Sequence, residues 1–364
     1  MKKRILAAAL AGTMVFALAA CGSSSATTTT AAADETEAVE ADGEASAEIT
    51  STELNIYMWQ QYISDDLIKN FEDEYGCTVN LSYMSDNADA INKLTAGGGD
   101  EYDLIMTCDA YMESLVAGGY VEQLDLTQIP NSANINESYW VSKDYCVPYL
   151  MNYIYVIYDS ETCPIEITSY NDLLDPALAG QISTIDGARN LFPIALIALG
   201  YDPNSTEESE IAEAYEWLVQ FNENVVAYGN AEQNLTNGTA SVALTYDGNA
   251  SWAMAEKDTI QIAPFTDDAI QLGMDLYVIP TGAQHTDLAY AFLNYICEPE
   301  VMAANLEEFP YSCPNDAAVE AASDTYKNDP ARDFDYKENV FFQEDVGDAL
   351  TIYNDYYQQL KVGE

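Results

Sequence analysis

Basic residues are scarce in this chain. Its 364 residues include 12 lysines and arginines against 61 aspartates and glutamates, which gives a formal net charge of −49. Such a charge repels the phosphates of nucleic acids and of anionic lipids, so neither is expected as a partner, whereas small cations are attracted. Because salt screens exposed charges beyond about 10 Å, only acids gathered in a cleft would select a ligand.

Histidine is nearly absent, and the cysteines are dispersed. The chain has one histidine, His285, and none of its seven cysteines belongs to a CxxC pair. Zinc sites need closely spaced ligands of these types, so the sequence predicts neither a metal site nor a cofactor. Disulfides would suit an exported chain, but buried thiols are equally consistent with the spacings. The six cysteines after Cys21 are Cys77, Cys108, Cys146, Cys163, Cys297 and Cys313.

Motifs of hydrolytic enzymes are missing as well. No G-x-S-x-G turn is present, and His285 has no partners at the spacing of a catalytic triad. Paired carboxylates would suit a secreted glycosidase, yet in a chain with 61 acids such pairs carry little information. The sequence therefore favours a protein that is not an enzyme, with a glycosidase as the distant alternative.

The chain begins with an apolar run that is too short for a comfortable membrane span. Met1-Lys2-Lys3-Arg4 precedes it, and Leu18-Ala19-Ala20-Cys21 supplies the small residues of a cleavage site. This pattern predicts a lipoprotein signal peptide over residues 1–20, with lipid on the sulfur of Cys21. An ordinary secretory peptide is the alternative. We expect the protein to be anchored at the extracellular face of the bacterial cytoplasmic membrane, its one contact with the membrane.

Residues 21–52 are predicted to form the lipidated cysteine and a disordered tether. From Gly22 to Ala47 the chain is small, polar and acidic, and Val39 is the only large apolar residue. Such a segment buries too little apolar surface to offset the entropy lost on ordering. The folded part is therefore expected from about Glu53, and it is long enough for two lobes.

Strand-like and helical segments alternate after the tether. Leu54–Met58 and Thr78–Tyr83 have the composition of strands, and Asp65–Tyr75 has the pattern of a helix that is capped by Ser64 and ended by Gly76. This alternation predicts an α/β fold with parallel strands. Further elements are expected at Tyr102–Met106 (strand), Ala110–Ala117 (helix), Ile211–Asn224 (helix, with Ile211, Tyr215, Leu218 and Val219 inside) and Asp345–Lys361 (helix).

Two longer apolar segments interrupt this rhythm. Tyr149–Tyr158 is apolar on both sides, and Asp275–Ile279 is a similar run that ends at Pro280. Strands buried on both faces read as continuous apolar runs. They are expected either to cross between the two lobes or to be ordinary central strands, and the pattern leaves both open.

Five short motifs follow one another between residue 53 and the C-terminus. They are Met58-Trp59-Gln60-Gln61-Tyr62, Tyr102-Asp103-Leu104-Ile105, Asp186-Gly187-Ala188-Arg189, Leu244-Thr245-Tyr246-Asp247-Gly248 and Gln343-Glu344-Asp345-Val346-Gly347. Together they resemble the extracellular solute-binding proteins of bacterial import systems, and among these the spermidine/putrescine-binding branch.

This resemblance implies a two-lobed periplasmic-binding-protein fold, type II-like, with hinge strands and an interlobe cleft. Lobe one would comprise residues 53–158 and 275–319, and lobe two residues 159–274 and 320–364. The lobes would close on a ligand about the hinge strands. A monomer loaded with a polyamine would then dock on an ABC permease that is driven by an ATPase.

The resemblance also implies the residues of a polyamine site. Ammonium groups need oxygen acceptors or aromatic faces, and methylene chains need flat apolar walls. Asp275 would bind an amine, Gln61 and Gln343 would be polar cleft residues, and three further acids would add negative charge. The aromatic walls would be Trp59, Tyr62, Tyr246 and Tyr311, and the further acids Asp109, Asp186 and Asp247.

Several positions depart from the branch. Gln61, Gly187 and Asn190 stand where the polyamine binders carry acids, and Gly273 stands where they carry a tryptophan. Because a buried ammonium without acceptors is costly, a shorter diamine, an amino acid or another amine remains an alternative ligand. Arg189 is expected to pair with Asp186 rather than with a ligand carboxylate.

Overall fold

One mixed β-sheet organises the computed structural model, which describes residues 49–84, 87–265, 267–332 and 339–363. The predicted signal peptide, the lipidation at Cys21 and nearly all of the tether lie outside these residues. The described strands are β1 (Glu53–Met58), β2 (Thr78–Tyr83), β3 (Leu104–Cys108), β4 (Val147–Asp159), β5 (Ile182–Thr184), β6 (Val225–Tyr228), β7 (Val242–Tyr246), β8 (Ile260–Ile262), β9 (Ile270–Val278) and β10 (Val340–Phe342).

Helices alternate with the strands along the chain. No helix in the described ranges is long and apolar enough to span a membrane. The described helices are α1 (Asp65–Tyr75), α2 (Asn87–Thr95), α3 (Met112–Ala117), α4 (Ala188–Leu199), α5 (Glu208–Asn222), α6 (Ala231–Thr236), α7 (Asp247–Glu256), α8 (Thr286–Ile296), α9 (Pro299–Glu308), α10 (Asp316–Ala321), α11 (Asp324–Lys327) and α12 (Ala349–Val362).

The first βαβ unit confirms the prediction made from local signals. Helix α1 begins and ends where expected, because the Ser64 hydroxyl accepts a hydrogen bond from the Leu67 amide and Gly76 adopts a left-handed φ of 65°. Strands β1, β2 and β3 are parallel neighbours. Strand β3 begins two residues later than predicted, and just before it the Asp103 carboxylate accepts the Asn55 amide proton at 2.8 Å while the Asp103 amide donates to the Asn55 carbonyl at 2.8 Å.

Strands β4 and β9 are central strands of the sheet, and their role as crossings between lobes stays a prediction. The strand order is β2-β1-β3-β9-β4-β7-β5-β6, with β10 beside β9 and β8 beside β4. The first half of β4 pairs with β9 and its second half pairs with β7, all antiparallel. At about 3.3 Å per residue, the 13 residues of β4 span roughly 40 Å, enough to serve two lobes.

Two hydrophobic clusters correspond to the two lobes. The first lies around β1, β3, β9 and α8, with Ile56, Leu276 and Phe292 fully buried. The second lies around β5, α4, α5 and α12, with Phe192 and Phe221 fully buried. We call these halves lobe one and lobe two. Their residue boundaries stay predictions, and α11 packs against lobe one through Tyr326.

Helix α5 is rotated relative to the sequence-based expectation. Val219 was expected inside but is 37% exposed, whereas Trp217 and Phe221 are buried and their rings stack 5.5 Å apart. The indole N–H of Trp217 donates to Asn171 at 3.0 Å. The large rings occupy the interior because they bury more apolar area than a valine does.

All six cysteines of the folded part are free thiols. Cys77 and Cys163 are half-buried, and the other four are buried. The cysteine spacings were consistent with either disulfides or buried thiols, and in the structure these cysteines are thiols. Burial raises the pKa of Cys146 to about 12, so its unreactive thiol form dominates at neutral pH.

Candidate functional site

The loop after β1 carries Trp59 and Tyr62 to the carboxyl edge of the sheet, where β3 also ends. Gln61 is exposed and has a left-handed φ of 59°, and this turn directs the next side chain, Tyr62, into the interior. The Asn305 side chain fixes this loop, because it accepts a hydrogen bond from the Ser64 amide at 2.9 Å and donates one to the Tyr62 carbonyl at 3.1 Å. Carboxyl ends of parallel strands are the usual place for ligand sites in such sheets.

Asp275 lies at the centre of this edge, on β9, and is 4% exposed. The Tyr62 hydroxyl lies 2.8 Å from its carboxylate, and the Asn152 amide donates to the same oxygen. Burial raises the pKa of Asp275 to about 6, although hydrogen bonds from Tyr62, Asn152 and Trp59 oppose the shift. The upward direction of the pKa shift shows that the desolvation of the carboxylate outweighs these hydrogen bonds.

Asp109 is a second buried acid beside Asp275. It directly follows Cys108, which is the register partner of Asp275 in the β3–β9 ladder. One carboxylate oxygen accepts from the Ala110 amide at 3.0 Å, and the other is buried without a hydrogen-bond partner in the structure. Burial, together with the charge of Asp275, raises the pKa of Asp109 to about 7. Neither acid forms an ion pair with any described basic residue.

Tyr311 connects the aromatic wall of lobe one to helix α7. Its ring lies 4.8 Å from the Tyr62 ring and 6.1 Å from the Trp252 ring, between centroids. Its hydroxyl donates to Asn249 at 3.2 Å. Trp252, which lies on α7, therefore packs against the ring of Tyr311. A Cβ atom at Gly248 would lie 2.7 Å from the Tyr311 ring, so the absence of a side chain there permits the contact.

We expect Gly248→Ala to destabilise the protein by about 1–3 kcal/mol, because the new methyl group overlaps the ring of the buried Tyr311. Denaturant unfolding of the ligand-free protein measures the effect. Gly273→Ala is the matched control, since its Cβ would meet only the Asn152 carbonyl at an ordinary 3.9 Å. Equal stability losses for the two variants would show that the contact of Tyr311 with α7 is not tight.

Tyr246 lies where β7 ends and α7 begins. Its hydroxyl accepts a hydrogen bond from Asn190 at 3.1 Å, and the same amide group donates to the Asp186 carbonyl at 2.7 Å. Asn190 therefore orients the ring of Tyr246 from the first turn of α4. An amide at this position supplies a donor where the resemblance implied an acid.

Asp247 is completely buried and paired with Arg332 rather than directed at the cleft. Its carboxylate accepts from the Ser312 amide and hydroxyl, both at 2.8 Å, and from the Arg332 guanidinium. The Tyr153 amide adds a longer contact of 3.3 Å. This carboxylate has a full set of partners in the described arrangement, so its charge is already neutralised.

The expected pair between Arg189 and Asp186 is not formed. Asp186 is exposed, accepts from Tyr357 and pairs with Lys361 at 3.2 Å. Arg189 donates to the Asn204 side chain at 2.7 Å and to the Glu344 carbonyl at 3.3 Å. The reason is geometric, because α12 brings Lys361 to Asp186, while the Arg189 guanidinium lies over the ring of Tyr353 and meets the Glu344 carbonyl of the loop before α12.

Gln343 belongs to the same loop and donates to the Arg189 carbonyl. Asp345 accepts from the Ser114 hydroxyl of α3, a contact that joins lobe two to lobe one. Gln343 thus positions the first turn of α4.

Two site residues were missed by sequence reasoning. Asn152 lies in a strand that reads as an apolar run, and a buried amide in such a run was the available signal. Arg332 gave no signal, because a lone arginine near the C-terminus does not show which acid it meets. The structure brings together Trp59, Tyr62, Asp109, Asn152 and Asp275 at one edge, while Asp186 and Asp247 are engaged elsewhere.

Comparisons with known proteins identify the family. Residues 66–333 match the family model for bacterial extracellular solute-binding proteins. This chain belongs to that family.

The relatives of this solute-binding protein are binding components of transporters, so it is not an enzyme. Spermidine/putrescine-binding periplasmic protein 1 of Haemophilus influenzae is 28% identical over 342 residues, which cover 91% of this chain and 94% of the relative. A Listeria monocytogenes structure titled for a spermidine/putrescine ABC transporter is 28% identical with a TM-score of 0.80, covering 86% of this chain and 100% of that one. The TpPotD lipoprotein of Treponema pallidum is 26% identical with a TM-score of 0.75, covering 85% and 99%.

Proposed function

We propose that this solute-binding protein captures a small cationic amine, first of all a polyamine such as putrescine or spermidine, for import by an ABC permease and its ATPase. The observation that carries the proposal is the pair of buried acids, Asp275 and Asp109, without a basic partner in the described structure. Buried charges are normally paired, so a cation from outside would complete this site.

The surroundings of the two acids suit an alkyl amine. An ammonium group forms charge-assisted hydrogen bonds with carboxylates and is attracted to aromatic faces. Tyr62 and Tyr311 form adjacent walls, and Trp59 hydrogen-bonds to Asp275 from the loop. In the proposed site, Gln61 and Tyr246 border the ligand, whereas Asp186, Asp247 and Gln343 act indirectly by positioning lobe two.

The names of the relatives support the ligand class and the anchor. Those of the Haemophilus and Listeria proteins include spermidine and putrescine. The Treponema protein is called a lipoprotein, in agreement with our proposal that lipid on Cys21 anchors a monomer at the extracellular face of the membrane. Closure about β4 and β9 would enclose the amine between the lobes.

Arg189 favours a second candidate, an amine that carries an acceptor group such as a carboxylate. One terminal nitrogen of its guanidinium is buried without a hydrogen-bond partner in the structure. No described acid pairs with Arg189, although the chain carries 61 acids. An amino acid would use the acids of lobe one and the arginine of lobe two together.

Titration calorimetry with matched ligands tests the proposal. We expect putrescine or spermidine to bind with a micromolar dissociation constant, which corresponds to about −8 kcal/mol. Butane-1,4-diol has the length of putrescine without its charges, and we expect it to bind at least about 100-fold more weakly. Tighter binding of 4-aminobutyrate, lost in Arg189→Gln, would favour the second candidate. Failure of every amine to bind would contradict the proposed function.

A further inference from the structure

Tyr62, Asn152 and Asp275 form a closed triangle of hydrogen-bond contacts. The Tyr62 hydroxyl lies 2.8 Å from the Asn152 carbonyl oxygen and 2.8 Å from the Asp275 carboxylate. The Asn152 amide nitrogen contacts the same carboxylate oxygen. All three side chains are buried, with exposures of 8%, 9% and 4%. Each of the three contacts therefore needs a hydrogen atom from within the triangle.

The available hydrogen atoms do not suffice if Asp275 is ionised. A phenol donates one hydrogen, and an amide directs its NH2 at one partner while its oxygen faces the other. These two groups supply hydrogens for two contacts, which leaves one pair of acceptor oxygens facing each other. If the Asn152 amide is rotated by half a turn, a different pair of oxygen atoms faces each other, but one pair still lacks a hydrogen between them. Only a proton on Asp275 supplies the third hydrogen.

We propose that at mildly acidic pH Asn152, together with Tyr62, holds Asp275 as a neutral acid in the ligand-free protein, so that capture of a cation there expels one proton. The proposal rests on the proposed function, because it requires a cationic ligand. Asn152 is a positioning residue in this account. With the acid protonated, every contact of the triangle has a hydrogen. With the acid ionised, the Tyr62 and Asn152 oxygens can be left facing each other, a cost that opposes the hydrogen bonds by which Tyr62, Asn152 and Trp59 lower the pKa of Asp275.

The other groups around Asp275 agree with a retained proton. From β3 it faces Cys108 and Asp109, from β9 itself Tyr277, and from the segment after α9 Tyr311. None of these is a cation, so none of them stabilises the ionised form of Asp275 by charge. Arg189 exerts an electrostatic influence on Cys108, but it forms no ion pair with Asp275.

Ligand entry changes this balance without any further reagent. The O–H bond of Asp275 breaks, the proton passes to solvent, and the carboxylate then pairs with the ammonium of the ligand. Tyr62 turns its hydrogen from Asn152 to Asp275, and an ammonium hydrogen satisfies the Asn152 oxygen. In the Asp109→Asn variant, where the second acid no longer titrates, binding should therefore tighten as the pH rises through about 6, the pKa of the free Asp275, and then level off.

Infrared difference spectroscopy on the ligand-free protein tests the neutral acid directly. The spectrum of wild type minus Asp275→Asn should show the carbonyl stretch of a protonated carboxylic acid below pH about 6. The band should shift in D2O and disappear when putrescine is added. In Asp109→Asn the band should remain. Its absence from wild type, with the ionised carboxylate band in its place, would overturn the proposal.

Calorimetry in buffers of different ionisation enthalpy counts the released protons. In the Asp109→Asn background we expect close to one proton per bound putrescine about one pH unit below the pKa of Asp275, about half a proton near pH 6, and a release that falls toward zero at higher pH. With Asp275→Asn added, the release should vanish. Tight binding without release would overturn the inference and leave the proposed function intact. If the infrared band of the neutral acid is present but the protein binds no amine, the proposed function is refuted instead.

Discussion

Replacing Asp275 by asparagine is expected to weaken putrescine binding about 100-fold, equivalent to about 3 kcal/mol. The variant keeps the shape of the side chain and loses only its ability to carry a negative charge. An amide also donates the hydrogen that a neutral acid would supply to Tyr62 and Asn152, so the ligand-free triangle is preserved. A buried ammonium facing an amide in place of a carboxylate loses its charge-assisted hydrogen bond.

The same substitution separates binding from folding. The pKa of Asp275 is raised above its ordinary 3.8 to about 6, so the stability tied to its protonated form is present at low pH and lost as the pH rises through about 6. Above that pH we expect ligand-free Asp275→Asn to be at least as stable as wild type. Asp73→Asn, at an exposed acid paired with Lys69, is the control for binding. Unchanged affinity in Asp275→Asn would remove Asp275 from the ligand site.

Replacing Arg332 by methionine is expected to lower the free energy of unfolding by about 3–5 kcal/mol, because it leaves the buried charge of Asp247 without a counter-ion. The Arg332 side chain is 6% exposed and that of Asp247 is fully buried. Arg332 also donates to the Ser251 hydroxyl at 3.0 Å and to the Pro310 carbonyl, so the residue joins α7 to the segment that carries Tyr311. Urea denaturation monitored by circular dichroism measures the loss.

A double-mutant cycle identifies the cause. Adding Asp247→Asn to Arg332→Met should recover part of the stability, since an unpaired amide is cheaper to bury than an unpaired carboxylate. Lys69→Met removes a solvent-exposed ion pair with Asp73 and should change little. Additive effects at positions 247 and 332 would show that the two residues do not stabilise each other.

These two predictions divide the acids of the cleft region into two kinds. Asp247 is neutralised by the protein itself, through an arginine that lies 85 residues away in the sequence. Asp275 and Asp109 form no ion pair with a described basic residue. In the proposed site these two acids would bind the cation, whereas Asp247 would contribute to stability.

Local signals predicted the elements of lobe one well. Ser64 and Gly76 set the ends of α1 because both caps act within a few residues of the helix. The buried face of α5 was predicted less well, because Trp217 finds its place through a hydrogen bond to Asn171, 46 residues earlier. Periodicity cannot distinguish two neighbouring helix faces when both carry apolar residues.

The sequence by itself determined the net charge, the alternation of strands and helices and the motifs that identify the family, because these depend on composition and on neighbours along the chain. Only the tertiary structure decided which buried acids are paired within the protein. Asn152 meets Tyr62, 90 residues before it, and Asp275, 123 residues after it, because β4 and β9 cross the same sheet side by side. Desolvation and pairing of a charge depend on such distant contacts, so residue type alone could not separate Asp275 from Asp247.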